Sequence, residues 1–186
     1  KTNPELPLPY TENECGHLIH VDLPTPVPKL IFHFVIETQH SDALDLLLWI
    51  FNYSPPNFCL SQLHQQGFIT RFHLEKNQSV PSGAGLNLHL SLSEKGILQR
   101  MQIIAVIFEL FKKISLFEAP EMYWDQVHKT RNIFSGMNEL TEHAHEIDAQ
   151  LIDAVQSIIE QCIPSSSRVL FICAAEECGF MQQPIC

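Results

Sequence analysis

The sequence predicts an α+β fold: a mostly antiparallel mixed sheet with helices packed on one face. Three observations carry this. In Ser82 to Ile114 a strictly alternating strand runs through a short turn into a long amphipathic helix. Leu86, Leu88, Leu90 and Leu92 alternate with Asn87, His89 and Ser91, so one face of a sheet is apolar and the other wet. Ile97, Met101, Ile104, Phe108 and Phe111 then recur at spacings of four and three, a stripe the leucine face can pack against. The order of elements, β-β-α-α-β-β-α-α-α-β, points to a two-layer domain rather than a bundle or a sandwich.

Residues 1 to 14 hold Pro4, Pro7 and Pro9 among polar residues and read as an extended linker. A strand is expected from His17 to Leu23, ended by Pro24, Pro26 and Pro28. In the next, Leu30, Phe32, Phe34 and Ile36 share one face while Ile31, His33, Val35 and Glu37 share the other. Ser41 can cap a deeply buried helix through ALDLLLWIFNY, with Trp49 at core spacing. Ser54-Pro55-Pro56 opens a short helix, NFCLSQLHQQ, that Gly67 can stop. A third strand follows, with Phe68, Thr70, Phe72 and Leu74 expected opposite Ile69, Arg71, His73 and Glu75. Residues 77 to 83 form a polar turn before the leucine strand, and Ser93 can cap the long helix after it. Pro120 starts another helix, containing Trp124. A further one is expected from about Glu142 to Cys162, with Ile147, Leu151, Val155, Ile158 and Ile159 on one stripe, ended by Pro164. RVLFICAA reads as the last strand and residues 174 to 186 as a frayed exit tail. That leaves residues 15 to 173 as a single α+β domain.

At 186 residues, 45% of them hydrophobic, the chain supports one well-cored domain. Its net charge of -10, from 21 acidic against 11 basic residues, argues against nucleic acid as a partner, because affinity for phosphates rests on Lys and Arg. No apolar run reaches the roughly 18 residues of a membrane span, and the opening KTNPELPLP has neither an initiator Met nor a signal-peptide core. The chain is therefore expected to be an excised or processed piece of something longer. The six cysteines form no repeated C-x-x-C pair, leaving the redox compartment undecided. Cys173, Cys178 and Cys186 read as a tail of unpaired or incidentally oxidised thiols.

Candidate chemistry is sparse. His33, His73 and His89 lie in expected strands on the faces opposite the better apolar rows, and three imidazoles converging across strands could hold zinc. No Asp or Glu is obvious as their support, and scattered histidines on a wet sheet face are the commoner arrangement. His143 and His145, two apart at a helix start, point to different sides and suit a chelate poorly. No G-x-S-x-G marks a nucleophile elbow and no Gly-rich phosphate loop follows a strand.

Three segments resemble the pitrilysin/insulinase zinc metallopeptidases. SPPNFCLSQLHQQGFITRF, Ser54 to Phe72, looks like that family's small-residue turn, short S-x-L helix, Gly and aromatic-led strand. The leucine strand leading into LSEKGILQRMQIIAVIFELFKKI is similar to its L-T-x-x-G transition, and LIDAVQSIIEQCIPSSSRVLFI to its closing helix, turn and last strand. The likeness covers about residues 15 to 173; between Met137 and Ile147 the chain is shorter than the family pattern.

Family members carry H-x-x-E-H in a first zinc-binding domain and repeat the fold without the metal in the next. H-x-x-E-H is missing from this sequence, the nearest stretch being Glu142-His143-Ala144-His145-Glu146. The resemblance thus implies a non-catalytic second domain. Zinc is expected in the parent enzyme's catalytic domain rather than here, with no catalytic residues in this chain. The implied partners are a peptide substrate and a catalytic domain of the same or a partner chain, with no nucleic acid and no membrane. It also implies edge-strand anchoring of a substrate end by Phe72, His73 and Leu74, with Asn57 nearby, although bulkier residues replace the family's glycines. His89, with Asn87 and Ser91, would face the peptide from the wet side. Two alternatives stay open: an assembly module supporting a separate catalytic half, and an independent His-cluster metal enzyme.

Overall fold

The structure is a computed structural model that describes residues 15–36, 41–52, 59–77, 84–116, 149–174 and 182–184. Its centre is a six-stranded mixed sheet in the order β3-β4-β2-β5-β1-β6. The strands are β1 (His17–Asp22), β2 (Lys29–Ile36), β3 (Ile69–Asn77), β4 (Ala84–Leu92), β5 (Ser167–Cys173) and β6 (Gln182–Pro184). Only the β1/β5 pair is parallel among these neighbours. The helices are α1 (Ser41–Asn52), α2 (Cys59–Gln65), α3 (Glu94–Leu98), α4 (Arg100–Leu116) and α5 (Ala149–Glu160).

The alternation in β2 and β4 does what period two requires. Leu30, Phe32, Phe34, Ile36, Leu86, Leu88, Leu90 and Leu92 are all buried on the helix side. One core joins them to Ala43, Leu44, Leu47 and Phe51 of α1, Ile104, Ile107, Phe108 and Phe111 of α4, and Val155, Ile158 and Ile159 of α5. Aromatic rings form its densest part: Phe108 meets Phe32 and Phe34 edge-on, and Phe111 meets Phe34 edge-on and stacks on Phe51. Helices on one face and a polar second face are the two-layer arrangement the sequence predicts.

Three expectations are corrected. The long helix breaks at Gln99, whose backbone (φ -110, ψ 22) caps α3 and restarts the chain as α4. Within α4 the buried face centres on Ile103, Ile104, Ile107 and Phe111, which leaves Met101 at its rim with 40% exposure. In β3 the register shifts between Ile69 and Arg71, a bulge that leaves Ile69 buried and Thr70 exposed, the reverse of the expected faces. The stretch read as a frayed exit contributes β6, whose Gln182–Pro184 pairs antiparallel with His17–Ile19. Of the cysteines read as unpaired or incidentally oxidised, Cys173 is disulfide-bonded at the buried end of β5. The helix after Pro120, the expected helix start near Glu142, the linker 1–14 and Asn57 lie outside the described residues, as do the side chains of Trp49, Trp124, Ile147 and Leu151. Among the described residues no helix is long and apolar enough to cross a membrane.

Candidate functional site on the polar sheet face

β2, β4 and β3 lie side by side, and their register sets polar residues next to one another on the face away from the helices. His33 opposes Asn87, His89 opposes His73, and Glu75 opposes Asn87 from the other side. Cross-strand neighbours at this spacing touch through their side chains. His33 Nδ1–H donates to Asn87 Oδ1 at 2.7 Å, and Asn87 Nδ2 donates to Glu75 Oε1 at 3.4 Å. His89 Nε2–H donates to the same carboxylate oxygen at 3.0 Å, and His73 Nε2 stands 4.0 Å from Glu75 Oε2. Glu75 is thus the hub of a network running across three strands.

The electrostatics follow from this wiring. Burial alone pushes the Glu75 carboxyl up, but hydrogen bonds from Asn87 and His89 and the neighbouring His89 and His73 outweigh it, so its pKa lies below the ordinary carboxylate value. Burial holds the His33 imidazole below its usual pKa; the Asn87 hydrogen bond and Glu75 oppose this, while Arg168 and His89 add to it. The face therefore combines an ionised carboxylate with an imidazole that resists protonation. His89, its Nε2–H given to Glu75, turns the other ring nitrogen into an acceptor in its neutral form. Such a surface can hydrogen-bond a polar chain.

The residues singled out from the sequence divide in two. His73 and His89 are brought together on the polar face, His73 with 61% of its side chain exposed. Phe72 is half-buried against the core, and Leu74, at 1% exposure, belongs to the core itself. Period two sends even and odd residues of β3 to opposite faces beyond its bulge, so the side chains of Leu74 and His73 cannot serve one surface. Asn57 lies outside the described residues. Glu75 and Asn52 were missed as site residues: Glu75 was legible as an odd-numbered polar neighbour in β3, but nothing local marks Asn52.

Among the described residues no three His, Cys, Asp or Glu side chains converge as metal ligands. His33 is turned to a carboxamide, and His73 stands off from the carboxylate that His89 bonds.

Pitrilysin superposes over 98% of this chain at a TM-score of 0.72 and 19% identity, the chain covering 24% of pitrilysin's length. The fold is that of the pitrilysin-type peptidases. A protease from Helicobacter pylori matches over 93% of the chain (TM-score 0.56, 13% identity, 48% of its length). The first half of the periplasmic protease PqqL from Escherichia coli matches over 95% (TM-score 0.55, 13% identity, 45% of its length). The chain thus spans about a quarter of pitrilysin and under half of the other two. No protein-family profile and no curated protein sequence matches it.

Proposed function

We propose that this chain acts as a non-catalytic domain of a pitrilysin/insulinase-type zinc metallopeptidase, its polar sheet face lining a peptide chamber and helping to position the substrate. The observation that carries the reading is a pitrilysin-type fold over 98% of the chain in a sequence without H-x-x-E-H. In that motif two histidines and a glutamate share one helical face, supplying both metal ligands and a general base. Zinc would accordingly sit in a catalytic domain of the same or a partner chain, and would there supply Lewis-acid chemistry for peptide hydrolysis.

On this reading His73 and His89 meet the peptide from the wet face, Glu75 holds them in place, and β3 presents the sheet edge. Hydrogen bonds to the backbone of an extended peptide are indifferent to its sequence, which suits a chamber that accepts many substrates. Leu74 contributes no side chain to that surface.

The test is metal analysis and peptide binding on the dialysed chain. We expect no stoichiometric zinc, no cleavage of an unstructured peptide, and peptide binding several-fold weaker in His89→Ala than in the wild type. Stoichiometric zinc with chelator-sensitive cleavage would replace this reading with that of an independent metal enzyme. Absence of peptide binding would favour an assembly module instead.

A further inference from the structure

β3 is the terminal strand of the sheet, so every second residue turns its backbone N–H and C=O away from β4. At Leu74 both outward groups are taken by one side chain. The Leu74 N–H donates to Asn52 Oδ1 at 2.9 Å, and Asn52 Nδ2 donates to the Leu74 carbonyl at 2.8 Å. A carboxamide has the donor and acceptor of a peptide group, and this two-point contact reproduces what a pairing strand would make at one residue.

Two features make the contact more than a surface hydrogen bond. Asn52 is the last residue of α1, whose Leu47 and Phe51 are buried in the core, so a rigid element delivers the amide. It also strikes the middle of the usable edge: the register shift at Ile69/Arg71 ends regular pairing on one side, and β3 stops at Asn77 on the other. Period two makes Phe72 and Lys76 the flanking residues whose backbone groups also point outward. A peptide pairing along β3 must therefore cross the position that Asn52 holds.

We propose that Asn52 is a side-chain gate on the β3 edge: its carboxamide stands where an extended peptide would add as a further strand, and a peptide pairs there only by displacing it. This rests on the peptide-positioning reading for the chemistry of its ligand. A competitor making two hydrogen bonds lowers the apparent affinity for strand addition by about tenfold.

The test uses the full chain and a short fluorescein-labelled peptide of alternating Thr and Val. A twin N-methylated at alternate amides keeps the side chains and loses strand pairing. We expect Asn52→Ala to bind the unmodified peptide about tenfold more tightly than the wild type does, and the N-methylated twin to bind both equally. The Leu74 amide should exchange slowly with deuterium in the wild type and quickly in the variant. Asn52→Asp keeps the acceptor and loses the donor; it should fall between the two, and it carries the test if Asn52→Ala does not fold. Equal, measurable affinity in wild type and variants, or rapid exchange of Leu74 in the wild type, overturns the gate and leaves peptide positioning standing. No binding by any form overturns both.

Discussion

Gly96 shows how a single residue decides the join between the sheet and its helices. A β-carbon there would collide with the Phe68 carbonyl, the same oxygen that accepts hydrogen bonds from the Ser93 N–H and the Ser93 hydroxyl. Ser93 Oγ in turn accepts from the Gly96 N–H, capping α3 as the sequence predicts. Gly96→Ala gains about 1 kcal/mol of helix propensity, whereas overpacking against fixed backbone costs about 1–3 kcal/mol. The clash should win. A urea melt should show the variant less stable by roughly 1–2 kcal/mol, and a midpoint at or above the wild type's would mean the α3 start yields freely. The cap was legible in the sequence because it is local. The collision was not, because Phe68 and Gly96 meet only once β3 and β4 are paired.

Among elements, β4 and the α3/α4 pair contrast. Four leucines at period two can satisfy a helix layer in only one way, and all four are buried. The helix stripe is less binding, since a helix can turn about its axis and centre its buried face on either side of the expected line. The buried face of α4 runs through Ile103, Ile104, Ile107 and Phe111, so Met101 at its rim is 40% exposed, while Leu98, before the break at Gln99, is 84% exposed. Met101→Glu should therefore change stability by less than about 0.5 kcal/mol, as exposed substitutions do. With Met101 at the centre of the buried face the same change would bury a charge, so a loss of several kcal/mol in thermal or urea melts would move that face toward Met101. The bulge in β3 has the same character, exchanging the faces of Ile69 and Thr70 without any signal in their own residue types.

At the scale of the whole molecule, stability is tied to pH through two histidines on opposite faces of the sheet. His20 is buried on the helix side, edge-on to Phe171, and among the described residues neither ring nitrogen has a hydrogen-bond partner. Burial, and then the Arg100 charge, lower its pKa from 6.5; on the polar face burial chiefly does the same to His33. A lowered folded-state value means that the unfolded chain takes up protons first as pH falls, so stability is present above 6.5 and declines below it. Glu75 adds a second loss only below its own ordinary value of 4.5, where the unfolded carboxyl begins to protonate. Melting temperatures should fall between about pH 7 and about pH 5. His20→Phe, which keeps the contact with Phe171 and removes the ionisation, should flatten that slope, and an unchanged slope would take His20 out of the account.

The fold class, the inward faces of β2 and β4, the cap at Ser93, the stop at Gly67 and the resemblance to pitrilysin-type domains can all be read from the amino-acid order. These depend on periodicity and short-range geometry, which a single chain segment carries whole. Three-dimensional packing was needed to make Glu75, rather than any histidine, the hub of the polar face, to bury Leu74 in the core, and to set Asn52 on the β3 edge. Each is a meeting of residues from separate elements, 12 positions apart for Glu75 and Asn87 and 22 for Asn52 and Leu74. Strand register and helix placement fix such meetings, and both are set by the packing of the whole core.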